Sequence, residues 1–488
     1  MRVARGKSWA NRTTTSLVAV GVVLGAAVAS GTAGATTTPS AADWGSYLYS
    51  LNHSSDNTAD TAVTTTTAST LTQAWNFTPP GVQQFISSPT VVGGVVYIGA
   101  NNGNFYALNQ ATGAVIWSRF IGNNGPKTTC GSRGFASTAT VAVDPDTNIE
   151  TVYVASATGY LYAFNAATGA TIWQSVVGIP STTQNDYFDW GSPTVANGFV
   201  YMGISSMCDQ PLVQGGVISV NQETGARVAQ YYNVPAGTAN AGGSVWSSPA
   251  VGPSGNVYIS SGNGPASNEW LGTSNSIVAL NGKTLAKIAS WQIPQPPSGP
   301  DSDFGASPTL FTAKLAGSTA ATQMVGACDK NGWFYALNRS TLALVWSYHV
   351  GAKSTTKTGS AECISTAAFN GKYLYVGGDA TTINGTSYLG SIRALNPATG
   401  AVVWAMGLPS SVDSAVSLDG AGVLQVATYG FTAGAVNADY LINATTGALL
   451  TTLSTGNSAV GSQPVFADND VLVATQFNGL YDYRLPAG

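Results

Sequence analysis

Two carboxylates, Asp301 and Asp303, stand two residues apart in the stretch SGPDSDFGASPTLF (298–311) of a 488-residue chain that is only 8% charged. A carboxylate in this setting either caps the turn that Gly and Pro make ahead of a strand or takes a proton from a substrate as a general base. Residue type alone leaves both open. Other reactive side chains are sparse. His53 and His349 are the only histidines; they are far apart, lack ligand spacing and read as non-catalytic. Cys130, Cys208, Cys328 and Cys363 contain no C-x-x-C, which excludes the usual zinc spacing, and no C-x-x-C-H, which excludes c-type haem attachment. Four cysteines fit an oxidising compartment, and three pairings remain open. A net charge of −4 without a basic stripe argues against nucleic-acid binding.

The elements that must position these residues are legible as a repeat. NFYALNQATGAVIW (104–117) recurs as YLYAFNAATGATIW (160–173), and weaker copies follow. The Asn that opens each turn falls at 109, 165, 221, 281, 338, 396 and 443. Each copy alternates apolar with small or polar residues, breaks at Thr-Gly and alternates again, which predicts two strands around a tight turn. A second strand pair lies upstream of each, first in SPTVVGGVVYIGANNG (88–103). Four short strands per unit without helical periodicity describe a propeller blade.

Seven units carry the Asn turn. The C-terminal QPVFADNDVLVATQFNGLYDYRL has inner strands only, and LTQAWNF (71–77) is an outer strand without them. Joining the two predicts an all-β, eight-bladed propeller of four-stranded antiparallel blades, with no exposed edge; seven blades is the fallback. The recurring Trp at 117, 173, 346 and 404 holds a fixed place in the outer strand and is expected to pack between blades.

The N-terminus reads as an export signal: Arg2, Arg5, Lys7 and Arg12, then the apolar SLVAVGVVLGAAVA, then a small-residue cleavage site at Ala33–Ala35. The expected organisation is a signal peptide over 1–35, an N-terminal lead-in over 36–70 and one propeller domain over 71–488. The expected product is an exported monomer, secreted or in the cell envelope, that does not span the membrane once the signal is removed.

The repeat YALN-x-x-TG-x-x-x-W, preceded by SP-x-V-x-x-G-x-VY-x-G, resembles that of pyrroloquinoline quinone (PQQ) propellers. ADWGSYLYSLNHSSDNT resembles the start of quinoprotein alcohol dehydrogenases. GGSVWSSPAVGPSGNVYISSGNG (242–264) resembles the segment that places a Trp under the quinone and an Asn on calcium; here these are Trp246 and Asn263. GPDSDFGASPTLF resembles the polyvinyl-alcohol dehydrogenase segment with the catalytic Asp, at Asp303. DKNGWFYALN and CGSRGFAST resemble segments whose basic residues contact the quinone, at Lys330 and Arg133.

There are departures. The family's third-blade glutamate is absent from SSMCDQPLVQGG, where Asp209 is the acidic residue available as a calcium ligand. Cys130 stands alone where a cysteine pair is usual, and FIS replaces an acidic residue in the first blade.

The resemblance implies a PQQ- and Ca²⁺-dependent dehydrogenase without haem, which oxidises a small-molecule or polymeric alcohol and passes electrons to a separate acceptor. Asp303 would be base and metal ligand, Arg133, Trp246 and Lys330 would hold the quinone, and Asn263 and Asp209 would complete the metal site. Asp301 is expected to be a turn residue. The alternative expectation is a non-catalytic propeller that serves as a binding or scaffold module.

Overall fold

The chain folds around the Asn turn. Asn109 Oδ1 accepts both the backbone N–H and the hydroxyl of Thr112 at 3.0 Å, which leaves Gly113 to turn the chain at φ 69°. The same pair of bonds recurs at Asn165 and Asn221. Repetition of this hairpin builds eight four-stranded antiparallel blades in a computed structural model. It describes residues 40–486 apart from 82, 126–130, 132, 182–184, 239–240, 266–269, 295–302, 353–362 and 433. The expected signal peptide and Asp301 therefore lie outside the described residues.

Blades 1 to 7 run over 90–120, 140–176, 194–232, 250–292, 309–349, 368–408 and 417–454. Blade 8 takes three strands from 465–484 and its outer strand from Thr72–Phe77, which pairs antiparallel with Leu480–Arg484. The ring is closed by chain ends distant in sequence, as the divided repeat predicted, and the count is eight. Among the described residues no helix is long and apolar enough to cross a membrane.

Blades adhere through a volume rule. At five joints the indole N–H of an outer-strand Trp donates to the carbonyl of the residue after the next blade's Asn, and its ring covers that turn's Gly. Trp75 pairs in this way with Gly113, Trp117 with Gly169, Trp173 with Gly225, Trp346 with Gly400 and Trp404 with Gly447. A Cβ on any of these glycines would collide with the indole. At two joints the Trp position holds Ala229 or Ala289, and there the next turn carries a buried Leu, Leu285 or Leu342. The leucines accept left-handed φ values of 53° and 54°, a conformation that costs an L-residue roughly 1–2 kcal/mol. Filling the space an indole would occupy offsets that strain.

Ser and Thr residues just ahead of the inner strands link blades 8 and 1 to 6 along the inner ring. Ser88 N–H donates to the Thr138 hydroxyl, Thr138 to Ser192, Ser192 to Ser248, Ser248 to Ser307 and Ser307 to Thr366, all at 2.8–3.0 Å. Gln463 N–H returns to the Ser88 hydroxyl at 2.7 Å. A hydroxyl here satisfies the adjacent blade's amide, which explains the Ser or Thr at this position.

Residues 44–55 wind past this ring along the inner strands. They exchange backbone hydrogen bonds with Val91, Val141, Val251, Leu310, Phe369 and Leu418, one each in blades 1, 2, 4, 5, 6 and 7. His53 belongs to this winding segment. It is buried with Nδ1 at 2.9 Å from the Pro308 carbonyl oxygen, and burial lowers its imidazole to about 4. His53 is thus a buried, hydrogen-bonded part of this winding segment.

Candidate active site

In each blade one residue stands two places ahead of the ring position held by Ser88, Thr138, Ser192, Ser248, Ser307, Thr366, Ala415 and Gln463. This position holds Ile86, Ala136, Trp190, Trp246, Gly305, Ile364, Asp413 and Gly461. Gly305 is required where it stands, because a Cβ there would strike both Trp246 and Ile364. Its absence lets the blade-4 indole lie toward blade 5.

There Trp246 meets Asp303. The indole Nε1–H donates to Asp303 Oδ2 at 3.0 Å. Lys330 Nζ forms an ion pair with Asp303 Oδ1 at 2.9 Å and lies 4.9 Å from the centre of the Trp246 ring. The Lys330 backbone N–H also donates to the Asp303 carbonyl at 3.0 Å. Lys330 sits between the second and third strands of blade 5, directly after Cys328 and Asp329. Asp303 is 3% exposed. A buried carboxylate with a cation on one oxygen and an indole donor on the other is fixed in direction by those contacts.

Asn263 approaches from blade 4. A Cβ on the preceding Gly262 would fall 2.8 Å from Asp303 Oδ2, so glycine permits this close approach. Asn263 Oδ1 is buried and has no hydrogen-bond partner. An orphaned buried amide oxygen, one residue from the glycine that abuts Asp303, is a donor that suits a hard cation.

Arg133 stands at blade 2, with its guanidinium 5.6 Å from the Trp190 ring. Its Nε is buried and unpartnered. Burial lowers its pKa, and the nearby Tyr429 of blade 7 partly restores it. Tyr429 is itself pushed up, by burial first and by Asp413 next. Among the described residues no carboxylate pairs with Arg133, so its charge is available to an anion.

Asp209 is exposed, at φ 53° in a short strand, Ser206–Gln210. Among the described residues no group of three His, Cys, Asp or Glu side chains is placed to hold a metal. Asp189, which the sequence reading did not single out, is 2% exposed and has an unpartnered Oδ2. Burial raises its carboxyl well above the usual range. At this repeat position the other blades carry Phe85, Phe135, Val245, Phe304, Cys363, Val412 and Val460. That one polar residue in an apolar column was the available signal.

Cys328 and Cys363 form a disulfide across blades 5 and 6, and Cys208 is also disulfide-bonded. Cys130 lies outside the described residues. The Cys328 bridge ties the strand leading to Lys330 to the residue preceding Ile364, and so braces the Asp303 side of the ring.

Eight blades of this repeat, with a buried carboxylate and two basic side chains over indoles at the ring, define the class of PQQ-repeat propellers. The chain belongs to the PQQ_2 family, whose model, described as outer membrane protein assembly factor BamB, matches residues 25–206, 134–295 and 389–485. It is 26% identical over 316 residues to the quinohemoprotein alcohol dehydrogenase ADH-IIG of Pseudomonas putida, a match spanning 58% of this chain and 42% of that protein. The chain thus matches about two fifths of that relative's length. The solved structure of ADHIIG from P. putida HK5 is similar at a TM-score of 0.74 and 18% identity, over 92% of this chain and 81% of that one. A europium-containing methanol dehydrogenase is similar at 0.69 and 18%, over 90% and 91%. BamB from Moraxella catarrhalis is similar at 0.51 and 12%, over 86% and 98%.

Proposed function

We propose that the chain is an exported, PQQ- and calcium-dependent alcohol dehydrogenase with Asp303 as the general base. The observation that carries this reading is the Trp246–Asp303–Lys330 contact, with the orphaned Asn263 oxygen one residue from the glycine that abuts it. The residues fit the group they would hold. Arg133 and Lys330 offer cations to the carboxylates of the quinone, and Trp246 offers an apolar plate. Asn263 and Asp303 offer oxygen donors to the metal, and Asp209 is the further acidic candidate. When bound, the quinone supplies a hydride acceptor and the metal polarises its carbonyl.

The chain does the rest. Asp303 takes the hydroxyl proton of the alcohol as the hydride leaves the carbinol carbon, and the product is the corresponding aldehyde or ketone. The Trp246 N–H holds Asp303 Oδ2 so that proton transfer has one direction. General-base assistance of this kind contributes roughly 10²- to 10⁴-fold. Electrons leave to a separate acceptor. The substrate is an alcohol, with secondary and polymeric alcohols among the candidates.

The test adds PQQ with Ca²⁺, and in parallel with a lanthanide, to the purified protein. Indole fluorescence reads binding, and dye reduction with a panel of alcohols reads turnover. Saturable binding at micromolar PQQ with alcohol-dependent reduction is the expected result. Absence of binding overturns the enzyme reading in favour of a scaffold propeller.

A further inference from the structure

Among the described residues, Arg393 is a buried cation without an anion. It lies in the third strand of blade 6, Gly390–Leu395, and is 3% exposed. The equivalent position in blades 1, 2, 5 and 7 is Tyr106, Tyr162, Tyr335 and Tyr440. Nη1 donates to the Ser391 hydroxyl at 2.6 Å and Nη2 to the Thr381 hydroxyl at 2.8 Å, while Cζ lies 5.8 Å from the Tyr348 ring. All three neighbours are neutral. The ion pairs of the described residues involve Lys330 and Arg484, and none involves Arg393. Burying an unpaired guanidinium is costly, and the same burial lowers its pKa.

The cation opens onto a groove of about 700 Å³ between blades 5 and 6, lined among others by Tyr348, His349, Thr382, Ser387 and Tyr388. One wall is a hairpin, Thr381–Ile383 with Thr386–Tyr388, inserted between the second and third strands of blade 6. It is fixed in place, because the Tyr388 ring lies on Gly407 where no Cβ would fit. In blade 5 the same connection carries Lys330, so the groove opens at the same end of the ring as the candidate site.

The geometry points to a second binding site in this groove, specific for a carboxylate borne on a polyhydroxylated ring, the chemistry of a uronic acid. A guanidinium fork matches a carboxylate in two parallel hydrogen bonds. Tyr348 and Tyr388 present rings to the C–H faces of a sugar. Thr382 and Ser387 are exposed at the rim and offer hydroxyls. His349 is lowered by burial first and by the Arg393 charge next, and so offers a neutral imidazole.

Calorimetric titration of the full chain with galacturonate, galactose and inorganic phosphate tests this. Galacturonate is expected to saturate, with galactose and phosphate each weaker by about tenfold or more, the usual weight of a charge-assisted hydrogen bond. Arg393→Gln is expected to weaken galacturonate by a similar factor. Ser387→Trp, which fills the groove from an exposed rim position, is expected to abolish binding and decides the matter if Arg393→Gln fails to fold. Galactose binding as tightly as galacturonate, phosphate binding as tightly, or galacturonate binding unaffected by Ser387→Trp would each overturn the site. No readout here depends on alcohol oxidation, so the outcome is separate from that of the dehydrogenase reading.

Discussion

The Trp246 indole N–H reaches across from blade 4 to blade 5 and donates to Asp303 Oδ2 at 3.0 Å. Two blades therefore share one buried carboxylate, and its orientation depends on their packing rather than on either loop alone. A carboxylate that only capped a turn would bond its own backbone two residues on. Asp303 instead receives the Trp246 indole N–H on Oδ2 and the Lys330 ammonium on Oδ1.

Replacing Asp303 with Asn keeps an acceptor for the indole but removes the base. Turnover of the PQQ-loaded protein is expected to fall by about 10²-fold or more, with cofactor affinity retained. Full activity in Asp303→Asn would assign the base elsewhere.

Trp246→Phe keeps the apolar plate and deletes the donor. The loss of a hydrogen bond to a charged group is worth roughly 1.5–3 kcal/mol, so kcat is expected to fall about tenfold or more while PQQ binding changes less. A loss confined to PQQ affinity would show that the indole N–H does not orient Asp303.

The Trp/Gly and Ala/Leu joints make a packing prediction. Ala289→Trp alone overfills the space held by Leu342, at about 1–3 kcal/mol. Leu342→Gly alone opens a cavity at about 2–5 kcal/mol, less the strain it relieves. The double variant recreates the joint found at Trp346 and Gly400 and is expected to recover most of the loss. Additive destabilisation in thermal unfolding would reject the volume rule.

Stability should fall as pH rises. Burial pushes the Asp439 carboxyl up to about 7 and the Asp419 carboxyl up to about 8. Unfolded, both ionise near the ordinary carboxylate value of about 4. Their protonated folded forms therefore stabilise the protein fully below about pH 4, and that contribution is lost as pH rises through about 7 and 8. Tm is expected to be lower at about pH 8.5 than at about pH 5. Asp439→Asn, which still offers Gln425 Nε2 an acceptor, should flatten the slope below pH 7. An unchanged slope would exclude Asp439 as its source.

The Cys328–Cys363 bridge spans 35 residues. Cys328→Ser with Cys363→Ser is expected to cost about 2–4 kcal/mol and to loosen the Asp303–Lys330 contact, read as a greater loss of PQQ affinity than of overall fold. Undiminished PQQ affinity would make the bridge a staple without influence on the site.

The repeat by itself determined the blades. Turn chemistry and strand alternation are local, and seven copies of the Asn turn average out the errors of any one. The divided eighth blade was legible too, because an outer strand without partners and inner strands without an outer one have a single joint solution. The packing role of Trp117, Trp173, Trp346 and Trp404 followed from their fixed place, though not the Ala/Leu exchange that replaces them at two joints.

Tertiary structure decided how the side chains combine. Asp303 and Lys330 were readable as candidates, but their direct ion pair and the shared indole depend on how adjacent blades pack. Asp209 was the acidic residue at hand in its segment, yet its side chain is exposed, while Asp189 is buried. Asp189 and Arg393 each interrupt a repeat column, apolar in one case and mostly tyrosine in the other. An interruption becomes informative only once the column is known to be buried, since a charge costs little in water and much in a core. Sequence names the residue types along a strand; the closing of the ring decides which of them lose their solvent and must find a partner.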